Sequence, residues 1–514
     1  MGTGRGTREK ELYLSATGTV RHRGLITASV MLAMFMQTLD STICIVALPF
    51  MQGSLSASAE EVSWVLTSYV IASAIMTAPA AWMARRYGRK QVFLICLGGF
   101  LCLSVLSGLS RTLEQLIVCR LIQGMFGAAL APLCQATMLD IYPFAQRARA
   151  MAIFAVGILM GPFLGPVIGG YLTDAWHWRL VFYVTLGPGS LALLGVAVFL
   201  PKVAAQTSLR FNWYGFATLG LAAGMFQLIL DRGQKQDWFT STEIVVEAAI
   251  AGLCLYLFVV HMATSDRPFL PPALFKDRNF VAGIIMVACV SSVMLATASL
   301  LIPFLQQLGH HPVLESGVAM APRGLGTMTA MFIASRLAAR FDERAIMAMG
   351  LLTMGWTMLV MSTWTPDVTQ TEMMAVLLAQ GFAMGLVLNP MTVMAYTTLA
   401  AHLRPEAASV QSLARNLGSA VGISVTTFTL TRSTQITHAE IAAGITPFTR
   451  APPGAGLAMH VLDPATRHGA AVLDQMVTYQ AKIIAYNNDF RLMALTVLPP
   501  LVLLFFLRRH AAAA

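Results

Sequence analysis

The sequence predicts an all-α polytopic membrane protein, with two six-helix halves and two further helices inserted between them, fourteen transmembrane helices in all. Three observations carry this expectation. Of 514 residues, 56% are hydrophobic and only 11% charged, against about 25% charged in a soluble chain. Apolar runs of the roughly 20 residues needed to cross a bilayer recur along the whole chain. Lysine and arginine gather in alternate connections between those runs. No enzyme-sized soluble domain fits between them.

Taken in order, the runs lie near 25–50, 62–83, 91–109, 114–138, 148–172, 180–200, 212–230, 243–263, 280–305, 315–335, 345–363, 372–399, 408–431 and 490–507. The first follows a basic start (Arg5, Arg8, Lys10, Arg21, Arg23) and is too long for a signal-peptide core. No small-residue cleavage site follows it, so it is expected to remain as a spanning helix. An even number of spans returns both termini to one side. With both termini in the cytoplasm, the inner segments hold 22 Lys and Arg and the outer ones 9, and Arg120, Arg323 and Arg415 lie within spans. That bias is the positive-inside pattern. A basic cytoplasmic surface also accounts for the net charge of +10 with no nucleic acid as partner.

The expected organisation is a cytoplasmic tail (1–24), a first half (25–200), an inserted pair with its loops (201–279), a second half (280–507) and a short tail (508–514). An external segment, 432–489, carries a Pro- and Gly-rich stretch and a helical run at 470–486. It is a cap, a docking surface or a linker. The two halves show a faint repeat. WMARRYGRK (82–90) after the second run aligns with RLAARFDER (336–344) after the tenth, sharing Ala84/Ala338, Arg86/Arg340, Tyr87/Phe341 and Lys90/Arg344. Related halves are the signature of transporters that rock about a midplane site; chance similarity of two basic loops is the alternative.

The fifth run, GILMGPFLGPVIGG (157–170), is unlike the others. Gly157, Gly161, Gly165 and Gly169 recur every four residues and form one side-chain-free stripe, with Pro162 and Pro166 beside it and Gly170 at its end. In water each interior Gly costs roughly 1 kcal/mol and each Pro about 3. In a membrane the same pattern permits close helix approach. A kinked, tightly packed helix is expected, a simple helix-dimer groove being the plainer alternative.

Asp40 stands mid-span in the first run. A carboxylate at that depth costs about 2.5–3.5 kcal/mol on insertion scales, and such residues usually face a polar pathway. Desolvation favours its protonated form, which makes it a candidate proton carrier; capping Ser41 or Thr42, or pairing with an arginine, is the structural alternative. Arg120 in the fourth run stays charged and is suited to hold a carboxylate, with Gln123 three residues on along the same face. Gln37, Tyr69, Gln123, Asn389, Tyr396, Gln411 and Arg415 are candidates for lining a substrate cavity, while Gln380, Asn416 and Arg323 share that polar-in-apolar character. Some will serve only as helix-to-helix hydrogen bonds, worth about 0.6 kcal/mol each. The loop at 85–90 is a candidate inner latch through Arg86, Gly88, Arg89 and Lys90. The seven cysteines lie in apolar runs without metal spacing, and the 31 methionines suit adaptable apolar surfaces. No phosphate-binding loop is present to drive pumping by ATP. His310 and His311 form a weak metal signal.

These motifs resemble those of the major facilitator superfamily, in particular the fourteen-helix EmrB/QacA branch of drug:proton antiporters, over nearly the whole chain. LDSTICIVALP (39–49) is similar to that branch's first-helix motif, RLIQGMFGAA (120–129) to its fourth-helix motif and 157–170 to its antiporter motif. MARRYGRK (83–90) matches the loop motif, with Ala81 and Arg85 standing where Gly and Asp are usual. LDRGQKQDWF (230–239) and APRGLG (321–326) resemble the EmrB side. HWRLVFY (177–183) follows the branch's pattern until Thr185, Leu186 and Gly187. The resemblance implies a major facilitator fold and proton-coupled export of amphipathic or cationic compounds from the bacterial inner membrane. It gives Asp40 the proton-coupling role with Arg120 in support. The proton gradient supplies the energy, with no cofactor. By analogy a periplasmic adaptor and an outer-membrane channel are possible partners, besides the small substrates and the bilayer. Two rivals stand beside this: an exporter dedicated to one metabolite, such as a siderophore or fatty acid, and a transport-dead sensor or scaffold. Uptake by symport is disfavoured by the Gly/Pro fifth run.

Overall fold

The computed structural model describes residues 22–143, 146–202, 211–234, 236–265, 268–309, 318–338, 340–400, 403–445 and 466–507. The side chains of Pro162 and Pro166, and His310 and His311 altogether, lie outside the described residues. A helix stands at each of the fourteen expected positions. The first half holds α1 (Arg23–Ser54), α2 (Ala59–Thr77, continued as Ala80–Tyr87), α3 (Arg89–Leu109), α4 (Leu113–Gly127, continued as Leu130–Ile141), α5 (Arg147–Ala175) and α6 (Leu180–Tyr183 and Leu186–Phe199). The inserted pair is α7 (Trp213–Arg232) and α8 (Thr242–Thr264). The second half holds α9 (Arg278–Pro303), α10 (Ala321–Leu337), α11 (Glu343–Met361), α12 (Gln370–Thr397), α13 (Arg404–Ala443) and α14 (Arg467–Leu495, continued by Leu498–Leu503). Among the described residues ten helices are long and apolar enough to cross a bilayer by themselves, or eleven with the bent α2. Multi-pass membrane architecture follows.

Local chemistry explains where these rods start and bend. Ser58 and Glu61 close a reciprocal capping box at the head of α2, and Thr112, Asn212, Asp277 and Thr369 cap α4, α7, α9 and α12 with side-chain oxygens. The expected single run at 62–83 bends by 57° after Thr77, at Pro79, which has no N–H to offer the preceding turn. Pro303 ends α9 in a π-helical turn, Phe304–Leu308. Gly88 turns α2 into α3 within one residue at φ 89°, a conformation that glycine reaches without strain. Of the segment 432–489, residues 432–443 and 467–489 continue α13 and α14, and 446–465 lie outside the described residues. The two extensions run antiparallel: His438 Nε2 sits 3.0 Å from Asp474 Oδ1 and Asn488 donates to Ser433 at 3.2 Å.

Both halves contain helix pairs brought together by glycine. In the first half α5 lies on α1: a Cβ on Gly161 would run into Thr38 and the Leu39 backbone, and one on Gly165 into Thr42. Thr42 Oγ1 donates across this contact to the Gly161 carbonyl at 3.0 Å. In the second half α13 lies on α9 in the same way, with Gly418 against Ala288 and Gly422 against Ser292. The partner pairs match too: Gly124 of α4 meets the Tyr69 carbonyl of α2, and Gly381 of α12 meets the Arg323 carbonyl of α10.

The halves share one apolar cluster at the end carrying loop 84–90, where Val92, Met138 and Met151 join Phe280, Tyr396 and Leu403. At the opposite end they keep separate clusters, one around Ile43, Val65 and Trp178 and another around Phe304 and Phe490. The bundle is therefore closed at the 84–90 end. The inserted helix α7 sits against α2, with Gly220 and Gly224 packed on Ile75, and Thr67 donates to Asp231.

Because the α1–α5 approach leaves no room for a methyl at Gly161, Gly161→Ala should lower the thermal midpoint of the purified protein, at the roughly 1–3 kcal/mol typical of overpacking. Gly98→Ala, whose Cβ meets nothing within 4 Å, should leave the midpoint unchanged or raise it. Equal midpoints for the two variants would contradict the α1–α5 packing.

Candidate functional site

Four of the polar residues singled out in the sequence converge in the first half. Arg120 on α4 points at α1 and donates through Nη1 to Asp40 Oδ2 at 2.6 Å and to Gln123 Oε1 at 2.9 Å. Gln123 Nε2 closes the ring onto Asp40 Oδ1 at 3.2 Å. The Tyr69 ring of α2 lies 4.5 Å from the guanidinium carbon, so the cation is covered by a π face as well as an anion. Asp40 is 1% exposed and Arg120 and Gln123 are fully buried. The i, i+3 spacing on α4 puts the amide beside the guanidinium, and Gly124 in the next position lets α2 come close enough for Tyr69 to stack. Gln37, one turn before Asp40, donates to the Gly127 carbonyl at 2.8 Å and ties α1 to α4.

Chemically this is a neutralised ion pair buried in the bundle. Each partner makes the other tolerable, since either charge alone would be stranded in low dielectric. A proton arriving at Asp40 would release Arg120, whose Nε also reaches the Val65 carbonyl of α2 at 3.4 Å. The pair thus ties α1, α2 and α4 together at one point. The glycine stripe of α5 grips α1 on either side of this point, at Thr38, Leu39, Thr42 and Ile43.

A second polar group lies between the halves, around a small cavity of about 60 Å³ that opens outward. Gln135 of α4 donates to Gln411 Oε1 of α13 at 2.6 Å, and Tyr396 of α12 donates to the same oxygen at 2.7 Å. Gln411 and Arg415, one turn apart on α13, both line the cavity. Of the expected lining candidates, Gln411 and Arg415 therefore face the cavity, and Tyr396 holds Gln411 from behind. Gln37, Tyr69 and Gln123 belong instead to the Asp40–Arg120 cluster. Asn389 donates to the Met331 carbonyl at 3.4 Å and serves the packing of α12 on α10. Gln135 was not singled out from the sequence, although its place in an otherwise apolar run is the same signal that marked Gln411.

At the closed end, Arg85 pairs with Glu406 of α13 at 2.5 Å, an ion pair between the halves. Arg89 pairs with Asp140 of α4 at 2.6 Å, and Arg86 and Lys90 are half-buried beside it. Arg85 stands where the resemblance leads one to expect an aspartate, and the second half supplies the matching acid.

Set against known proteins, the Major Facilitator Superfamily profile matches residues 30–423. The chain belongs to that superfamily. It is 31% identical over 94% of its length to the multidrug export protein EmrB of Haemophilus influenzae, of which it covers 95%. It is 29% identical over 90% of its length to the fatty acid resistance protein FarB of Neisseria gonorrhoeae, of which it covers 92%. Among solved structures, the human organic anion transporter MFSD10 (TETRAN) superposes with a TM-score of 0.60 at 14% identity, over 94% of this chain and 99% of that one. That likeness shows a shared fold. The all-helical, multi-pass architecture is thus what the sequence pattern predicts, and the major facilitator fold is what the resemblance implies and the structure contains.

If Arg85–Glu406 helps hold the 84–90 end shut, reversing one charge should open it. Arg85→Glu should raise the maleimide labelling rate of a cysteine placed by Leu403→Cys, a residue buried where the halves meet. Adding Glu406→Arg should restore slow labelling. Fast labelling in both would rule the pair out as a closing contact.

Proposed function

We propose that this chain is a proton-coupled multidrug exporter that moves small amphipathic compounds across the membrane by alternating access. The observation that carries the proposal is the Asp40–Arg120–Gln123 cluster, a buried carboxylate whose single cationic partner sits on another helix. Relatives named as multidrug export proteins, matched over nearly their full length, support the substrate class. In this scheme Asp40 takes a proton from outside, Arg120 is released, and α1, α2 and α4 shift relative to one another. The α1–α5 and α9–α13 pairs move as stiff units because their backbones touch. The halves then part at the 84–90 end, which the positive-inside bias assigns to the cytoplasm, and substrate reaches the cavity. The proton gradient is the energy source, and no cofactor is required.

The placement that fits is the bacterial inner membrane with both termini cytoplasmic. The antiparallel extensions of α13 and α14 would then stand on the outer face, where a periplasmic adaptor leading to an outer-membrane channel could dock by analogy. The FarB relative favours a second reading, export of one class of lipid-like metabolite.

In proteoliposomes, adding a lipophilic substrate should start proton movement with the wild type and not with Asp40→Asn, while substrate binding, measured in parallel, persists in the variant. Proton movement by Asp40→Asn at the wild-type rate would place coupling elsewhere.

A further inference from the structure

The cavity between the halves has an unusual charge pattern. Of its twelve lining residues, Arg415 alone is charged. Gln135, Ser291, Thr392 and Gln411 are neutral polar groups, and the remainder are apolar, with three methionines and Phe154 among them. Among the described residues no carboxylate lines it.

Nor does one reach Arg415 from the surrounding elements, among the described residues. On α13 itself, Glu406 is paired with Arg85 and lies nine residues before Arg415, about 13 Å along the helix axis. Asp489 of α14 accepts from Thr429 of α13, which is fourteen residues beyond Arg415, about 21 Å along the axis. Asp140 of α4 is held by Arg89, and Asp277 caps the start of α9. Asp231 of α7 accepts from Thr67 of α2. Asp40 is spent on Arg120 inside the first half. The next basic side chain, Arg323 of α10, adds to the imbalance: 9% exposed, it donates to the Met294 carbonyl at 3.0 Å and has no ion pair among the described residues. Met294 in turn lines the cavity. Among the described residues the second half thus holds one base on the cavity wall and another behind it, with no acid paired to either.

Two donors sit together there. Gln135 and Tyr396 both donate to Gln411 Oε1, which turns the Gln411 oxygen towards them and leaves its amide nitrogen as a donor one turn from Arg415 on the same helix face. A planar guanidinium with a neighbouring amide N–H₂ suits a carboxylate or another flat anion. The methionine-rich wall suits a flexible alkyl or aryl tail, because thioethers adapt to irregular apolar shapes.

We infer that the cavity binds amphiphilic anions, with the anionic head at Arg415 and Gln411 and the tail along the apolar wall, and disfavours cations of the same size. The inference rests on the exporter proposal for its role in transport, but the binding preference stands by itself.

The test uses full-length protein in nanodiscs and two probes with one tail and opposite heads, dodecanoate and dodecyltrimethylammonium, in competition against radiolabelled dodecanoate. The wild type should prefer dodecanoate by about tenfold or more, the size of a single well-placed interaction. Arg415→Gln should remove the preference, and Arg415→Lys, which keeps the charge but not the fork, should retain part of it. Thermal midpoints identify any variant that fails to fold, and Gln411→Leu then serves as the second probe, with weaker dodecanoate binding expected. Equal or tighter binding of the ammonium by the wild type overturns the assignment, as does an unchanged preference in folded Arg415→Gln. Proton movement in proteoliposomes separates the two proposals. Dodecanoate that binds but moves no protons counts against export alone, whereas protons moved by the ammonium and not by dodecanoate count against the head-group assignment alone.

Discussion

The ion pair between Asp40 and Arg120 is the constraint around which the first half is built. Two opposite charges buried in a helical bundle are tolerable only together, with their remaining donors and acceptors filled. Gln123 and the Val65 carbonyl do part of that filling and Tyr69 covers the guanidinium face, while Arg120 Nη2 is buried without a hydrogen-bond partner. Each of these requires helices closer than ordinary side chains allow. Gly124 and Gly127 bring α4 up to α2, and the stripe from Gly157 to Gly169 brings α5 onto α1. The polar cluster and the glycine contacts are therefore one design. Opening the contacts would wet the pair, and removing the pair would take away the reason for the contacts.

The same solution is used twice, but its charge is not. The second half repeats the glycine-mediated pairs, α9 with α13 and α10 with α12, yet its bases Arg323, which is buried, and Arg415, which is half-buried, carry no matching acid among the described residues. One half holds its buried charges as a neutral pair, and the other presents positive charge to the space between the halves. In the proposed scheme such a division separates the energy-coupling group from the ligand-contacting one. The Arg85–Glu406 pair and the shared apolar cluster then determine which end of that space is shut.

Much of this was legible beforehand. The positions of fourteen helices followed from runs of apolar residues, since a lipid-facing helix must be apolar along its length. The glycine stripe was visible because four-residue spacing survives any packing arrangement. Asp40 and Arg120 stood out because charges are rare in such runs. Less legible were the ends and breaks. The bend of α2 turns on one proline, and the extensions of α13 and α14 are polar stretches that read as a connection in the linear chain. The lining residues were hardest. Gln37, Gln411 and Asn389 look alike in sequence, yet one ties α1 to α4, one faces the cavity and one packs α12 on α10.

What the sequence by itself determined is the solvent, the positions of the helices, the family and the two charges that must find each other, because hydrophobicity and buried charge are properties of residues and their spacing. What only the tertiary structure decided is which surfaces meet. Arg85 was an anomalous base in a loop until α13 placed Glu406 against it, and Arg415 was one polar residue among several until the halves enclosed a space in which it is the single charge. Pairing across hundreds of residues depends on how helices dock, and docking is governed by the shapes of whole helix faces, which no local pattern records.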